Sequence, residues 1–161
     1  MNANNLPRQA APASRRHAQG MSLIEVLVSV LVLSLGLLGI AAMQSMALRG
    51  GQSSLESSQA VMQASSIFEA MRSNRANAAA YNTAKQCSVS GITGTTLAAS
   101  DLRDWLTAMK TSIGGAASDT TTCGEISGCP NNCIVTIYWD DSRGGADQGG
   151  TSRSLAVEAR I

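Results

Sequence analysis

Between Met21 and Met43 the chain carries one charged residue, Glu25, in a run dominated by Leu, Val, Ile, Ala and Gly. As a helix rising about 1.5 Å per residue, that run reaches about 33 Å, enough to cross a bilayer core of about 30 Å. It also takes so much of a 161-residue chain that only a modest globular domain can form from the rest. A carboxylate inside such a helix costs on the order of 3 kcal/mol near its centre and less toward an end. An intramembrane charge of this kind marks a functional residue with a partner; the plainer alternative is an anchor that tolerates a charge at its edge.

Charge is divided around the run. Residues 1–20 hold Arg8, Arg15 and Arg16 and no acid, whereas residues 21–161 hold nine Lys/Arg against eleven Asp/Glu, a net of −2. Basic residues before the run place the amino end in the cytoplasm and the remainder outside. A slightly acidic remainder argues against nucleic acid as a partner, because phosphate binding wants a basic face. All four cysteines, Cys87, Cys123, Cys129 and Cys133, follow the run. On the exported side an even number favours disulfides, and three pairings are open. The short spacing of Cys129 and Cys133 favours a small loop, leaving Cys87 and Cys123 as the second bridge. Zinc would want two closely spaced pairs, and there is one.

The chemistry of an enzyme is missing. His17 is the only histidine and precedes the apolar run, so the exported part lacks an imidazole for base catalysis or metal binding. No phosphate-cradling Gly-x-x-x-x-Gly-Lys-Ser/Thr occurs, and Asp140, Asp141 and Asp147 lack the spacing of a calcium loop and read as solvated turn acids. No cofactor and no metal is expected.

Beyond Met43 the periodicity predicts that the helix continues, interrupted or bent near Gly50-Gly51. Val61, Ala64, Phe68 and Met71, with Leu48, Leu55 and Met62, form its expected apolar face; Ser53, Ser54, Glu56, Ser57, Ser58 and Gln59 form its polar one. Its end falls between Met71 and Ala80. Residues 81–99, rich in Thr, Ser, Ala and Gly, read as a surface connection tied by Cys87. Ser100-Asp101 opens a second helix with the face Leu102, Trp105, Leu106, Met109 and Ile113, ended by Gly114-Gly115. Strands are expected over residues 120–126, 134–139 and 154–161, the second being dense in β-branched and aromatic residues. The fold class is α+β: a long N-terminal helix packed on a small antiparallel sheet.

Gly20-Met21-Ser22-Leu23-Ile24-Glu25 and the apolar run after it resemble a type IV prepilin. An ordinary secretory signal is cut after its apolar core, for which Ala41-Ala42 offers a site; here a Gly stands before the core. The resemblance implies cleavage by a prepilin peptidase between Gly20 and Met21 and N-methylation of Met21. It also implies an assembly role for Glu25 at the fifth mature position. That role has a physical sense, since cleavage creates an α-amine and a buried ammonium must be paired. Pairing with a neighbouring subunit's amine would also set axial register. Met21 stands where the family most often has Phe, and Ala42 where major pilins often have a helix-breaking Pro. Gly36 and Gly39 are then the candidate flexible point, or else a surface for close helix packing.

Looser likenesses to the PilV group of minor pilins lie in the Arg-x-Asn stretch of residues 71–77, the Asp-Leu-x-x-Trp of residues 101–105 and residues 134–161. The implied organisation is a leader over residues 1–20, a transmembrane and assembly helix over 21–43, its periplasmic amphipathic part over 44–78, and a disulfide-bearing head over 79–161. The implied role is a minor pilin that waits in the inner membrane, joins other minor pilins, the major pilin and the assembly platform, primes pilus assembly and supports adhesion or twitching. A type II secretion minor pseudopilin shares the leader and helix. A DNA-uptake pilin and an anchored module that never polymerises are the further alternatives.

Overall fold

The computed structural model of this chain describes residues 20–145 and 149–161. The leader residues Arg8, Arg15, Arg16 and His17, and Asp147 of the loop acids, lie outside the described residues. The chain divides into two units, residues 1–41 and 42–161. Helix α1, Leu23–Ser73, contributes to both. In the first unit every described residue is exposed.

The second unit is an α+β head. A 3-10 segment, Arg75–Tyr81, follows α1. Strand β1 (Thr83–Gln86), helix α2 (Leu97–Ser112) and strands β2 (Cys123–Ser127), β3 (Cys133–Trp139) and β4 (Arg153–Ala159) complete it. The four strands form an antiparallel sheet in the order β1-β2-β3-β4. Strand β3 alternates strictly, with Cys133, Val135, Ile137 and Trp139 buried, because one face of the sheet is covered and the other is not. Against that covered face pack Ala60, Ala64, Ile67, Phe68 and Met71 of α1 and Leu102, Trp105, Leu106 and Met109 of α2.

Four expectations need correction. Helix α1 runs through Gly50-Gly51 without interruption, although two glycines cost about 2 kcal/mol in helix propensity. Its buried stripe is Ser53, Glu56, Ala60, Ala64, Ile67, Phe68 and Met71, whereas Leu48, Leu55, Val61 and Met62 are exposed. The helical phase set by Ala64, Phe68 and Met71 steps back in threes and fours to Ala60, Glu56 and Ser53, and hydrophobicity alone pointed to the wrong residues there. Residues 81–99 are not only a connection, since β1 lies within them and pairs with β2. This edge strand has no buried residue, hence no alternation to read. Helix α2 begins at Leu97, not Ser100, because the Thr96 side chain accepts a hydrogen bond from the Ala99 amide and caps it.

Two disulfides hold the head, Cys87–Cys123 and Cys129–Cys133, the arrangement favoured by spacing. The first ties the chain after β1 to the start of β2, and the second closes the β2–β3 turn.

The turn before β2 depends on Asp119. Its carboxylate accepts hydrogen bonds from the Thr121 amide (3.0 Å), the Thr121 hydroxyl (2.7 Å) and the Thr122 amide (2.7 Å). Burial pushes the carboxyl up, but the bonds from Thr122 and Thr121 outweigh it and hold the pKa at about 2. A carboxylate pKa below its unfolded value near 3.8 stabilises the fold at higher pH, and the gain is lost as pH falls toward 2. Asp119→Asn is expected to cost about 1–2 kcal/mol at neutrality, allowing for partial exposure. Its deficit should shrink in acid. Urea midpoints at neutral pH and near the lowered pKa check this, and a deficit equal at both would exclude the electrostatic origin.

Candidate assembly site

Helix α1 starts just after the Gly-Met-Ser stretch. The Ser22 carbonyl accepts from the Glu25 amide (3.0 Å) and the Val26 amide (3.2 Å), which closes the first turn. Glu25 therefore sits in that turn, where a negative charge also suits the positive end of the helix dipole. Hydroxyls that would be costly in an apolar environment are satisfied along the helix. Ser29 donates to the Glu25 carbonyl, and Ser34 donates to the Val30 carbonyl at 2.7 Å. Among the described residues no cation lies within ion-pair distance of Glu25.

The surface around Glu25 is apolar and uncovered. Met21 is 71% exposed and Leu23 is 78% exposed, and none of the apolar stretch is buried within the chain. Exposed apolar patches of this extent mark contact with lipid or protein. Gly36 and Gly39 are helical, and a Cβ built on either meets nothing within 4 Å. Among the described residues no close approach requires a glycine there.

Residues 15–41 match the prokaryotic N-terminal methylation motif. That motif supports a type IV pilin or pseudopilin, a structural class rather than an enzymatic one. It implies processing by a prepilin peptidase and, with the apolar helix, accords with membrane anchoring and entry into a pilus. No curated protein and no solved structure matches the chain. One described helix, α1, is long and apolar enough to cross a membrane.

The other residues singled out in the sequence lie in the head. Trp105, read as core, is buried and its indole N–H donates to the Gln63 carbonyl at 2.9 Å. The loop acids behave differently from each other. Asp140 accepts from the Ser142 amide at 2.8 Å near the surface. Asp141 is fully buried, so the expectation of solvated turn acids fails for it. Its Oδ2 accepts from Ser53 Oγ (2.6 Å) and Arg153 Nη1 (2.8 Å), while Glu56 accepts from Arg143 Nη2 (2.6 Å). This cluster joins α1 to the β3–β4 loop and escaped the sequence reading. Its one signal was the helical phase that puts Ser53 and Glu56 on the buried stripe. Among the described residues no group of His, Cys, Asp and Glu is arranged to hold a metal.

Proposed function

We propose that the chain is a PilV-like minor pilin of the type IV pilus. Processing by prepilin peptidase between Gly20 and Met21 and methylation of Met21 would yield the mature form. The carrying observation is the coupling of Gly20 and Glu25 to an apolar helix with no cover among the described residues. On this reading residues 1–20 are the leader, 21–43 the membrane and assembly helix, 44–78 its amphipathic continuation and 79–161 the periplasmic head. Glu25 pairs with the α-amine of a neighbouring subunit, and Gly36 and Gly39 let the helix adapt as it leaves the bilayer. The exposed Leu48, Leu55 and Met62 extend the apolar surface available to neighbouring helices. Partners are the prepilin peptidase, other minor pilins, the major pilin and the inner-membrane assembly platform. The mature protein moves from the inner membrane into the fibre or its tip, where it primes assembly and supports adhesion or twitching.

The test is the intact mass and N-terminal residue of the protein from membranes and from sheared surface fibres. N-methylated Met21, present only with an active prepilin peptidase and recovered in pili, is the expected result. Recovery only with a type II secretion assembly would instead make it a minor pseudopilin. An amino terminus before Gly20 or near Ala42 would sink both.

A further inference from the structure

The three residues between the bridged Cys129 and Cys133 form one wall of a cleft of about 470 Å³, lined by Arg75, Pro130, Asn131, Asn132, Arg160 and Ile161. That wall is held from several sides. The disulfide closes the loop at its base. Asn82 grips Cys129 at both backbone groups, accepting from its amide at 3.1 Å and donating to its carbonyl at 2.9 Å. The Asn132 amide donates to the Gly128 carbonyl at 3.1 Å, and the Asn132 side chain donates to Glu158. The two arginines are far apart in sequence: Arg75 opens the 3-10 segment after α1, and Arg160 follows β4. Both are exposed. Arg72, Arg103, Arg143 and Arg153 each donate to an acid or a carbonyl of the head. Neither Arg75 nor Arg160 has an ion pair or a side-chain hydrogen bond among the described residues.

We propose that this cleft binds the carboxylate of an acidic sugar, presented by a carboxylated polysaccharide. A guanidinium offers its N–H donors as a planar fork that matches the oxygens of a carboxylate or a phosphate. Two such forks, with their donors uncommitted, make an oxyanion site. Charge density separates the two ligands. Duplex DNA carries a charge about every 1.7 Å and is held by many cations at once. This cleft offers two, on a chain that is net acidic beyond residue 20. A uronate polymer carries a single carboxylate on each ring, and a short stretch of it asks for no more than two cations. The rest of the lining suits a sugar. Asn131 presents an exposed amide, donor and acceptor together, for ring hydroxyls, and its side chain has no partner among the described residues. Pro130 and the half-buried Ile161 supply apolar surface for the C–H face of a ring. The fixed loop lowers the ordering cost of binding, since its wall is in place beforehand.

Such a ligand gives chemical content to the adhesion role proposed above. The cleft itself does not rest on entry into a fibre, because every residue lining it belongs to the unit of residues 42–161.

Binding to the purified full chain in polyoxyethylene detergent micelles, which carry neither charge nor sugar, tests this. The probe is trigalacturonate, a linear trimer of galacturonic acid, titrated calorimetrically at low salt. Saturable binding that weakens as salt is raised is expected. Arg75→Gln and Arg160→Gln should each weaken it about tenfold to a hundredfold. Arg75→Lys keeps the charge but loses the fork, and should fall between. Lys85→Gln removes an equal charge from β1, outside the cleft, and should bind as the unaltered chain does. Melting temperatures of the arginine variants should be unchanged, since neither side chain has a bonded partner. Absence of saturable binding, equal binding of the uncharged galactose trimer, equal or tighter binding of a short DNA duplex, or normal binding by the arginine variants would each overturn the proposal. Failure here leaves processing at Gly20–Met21 untouched, and an amino terminus elsewhere leaves the cleft untouched, so the two readings fail separately.

Discussion

Glu25→Ala is expected to be cut at Gly20–Met21 and to stay in the membrane, yet to be nearly absent from sheared fibres. In the proposed assembly the methylated amine of one subunit is buried among apolar helices with a neighbour's Glu25 as its counter-charge. Removing one partner of a buried ion pair costs about 3–5 kcal/mol, because the other charge stays behind without compensation. At about 1.4 kcal/mol per factor of ten, incorporation falls by about two to three and a half orders of magnitude. Helix α1 itself should hardly change, since the Glu25 side chain has no ion-pair partner among the described residues and Ala is the better helix former. Glu25→Gln should fail similarly: it keeps the shape and a hydrogen-bond acceptor but leaves the ammonium unneutralised. Quantitative immunoblots of membrane and fibre fractions, with the processed mass confirmed, measure the effect. Either variant entering fibres at the normal level would remove the pairing role.

How far the fold could be read from the chain depended on where hydrophobicity and burial coincide. They coincide in α2 and its C-cap, where Leu102, Trp105, Leu106, Met109 and Ile113 are all buried, and in β3, whose alternation is complete. They part company on α1. There the core narrows from Phe68 and Met71 to Ala60, then to Ser53 and Glu56, so the buried stripe turns polar while Leu48, Leu55 and Met62 face outward. Those residues, like the apolar run before them, are exposed, so no burial pattern marks them. Strand β1 was illegible because an edge strand without a buried residue has no pattern to show. The polar cluster at Asp141 was illegible because its members come from positions 53, 56, 141, 143 and 153, and only folding brings them together. The N-terminal motif is the opposite case. Residues 15–41, which include Gly20, Met21 and Glu25, match a motif that lies in one local segment, so the likeness was visible without tertiary structure.

Trp105→Ala is expected to cost about 3–5 kcal/mol, the largest loss of head stability from a single side chain. Burial and two specific contacts converge on this indole. It is 5% exposed in the core cluster. Its N–H holds the Gln63 carbonyl, so it fixes α2 against α1 within the head. Its six-membered ring lies on Gly124 of β2, where a Cβ would meet the ring carbons at 2.6 Å and Met109 Cε at 2.8 Å. Gly124 is thus the floor on which the indole rests, and strand β2 accepts a poor strand former there because nothing larger fits. Two consequences separate packing from mere burial. Gly124→Ala should destabilise by about 1–3 kcal/mol through overpacking, although alanine is the more apolar residue. Combined with Trp105→Ala, it should cost less than the sum of the two, because the space vacated by the ring accommodates the new methyl. Thermal or urea unfolding of the four chains in a double-mutant cycle measures the coupling. Strict additivity would mean that the ring and the strand do not press on each other. At the low end of the usual 5–15 kcal/mol the single Trp105 change would populate unfolded chains, and any loss from fibres would then follow from folding rather than from assembly. The Glu25 variants differ in kind, because their heads should melt as the unaltered protein does.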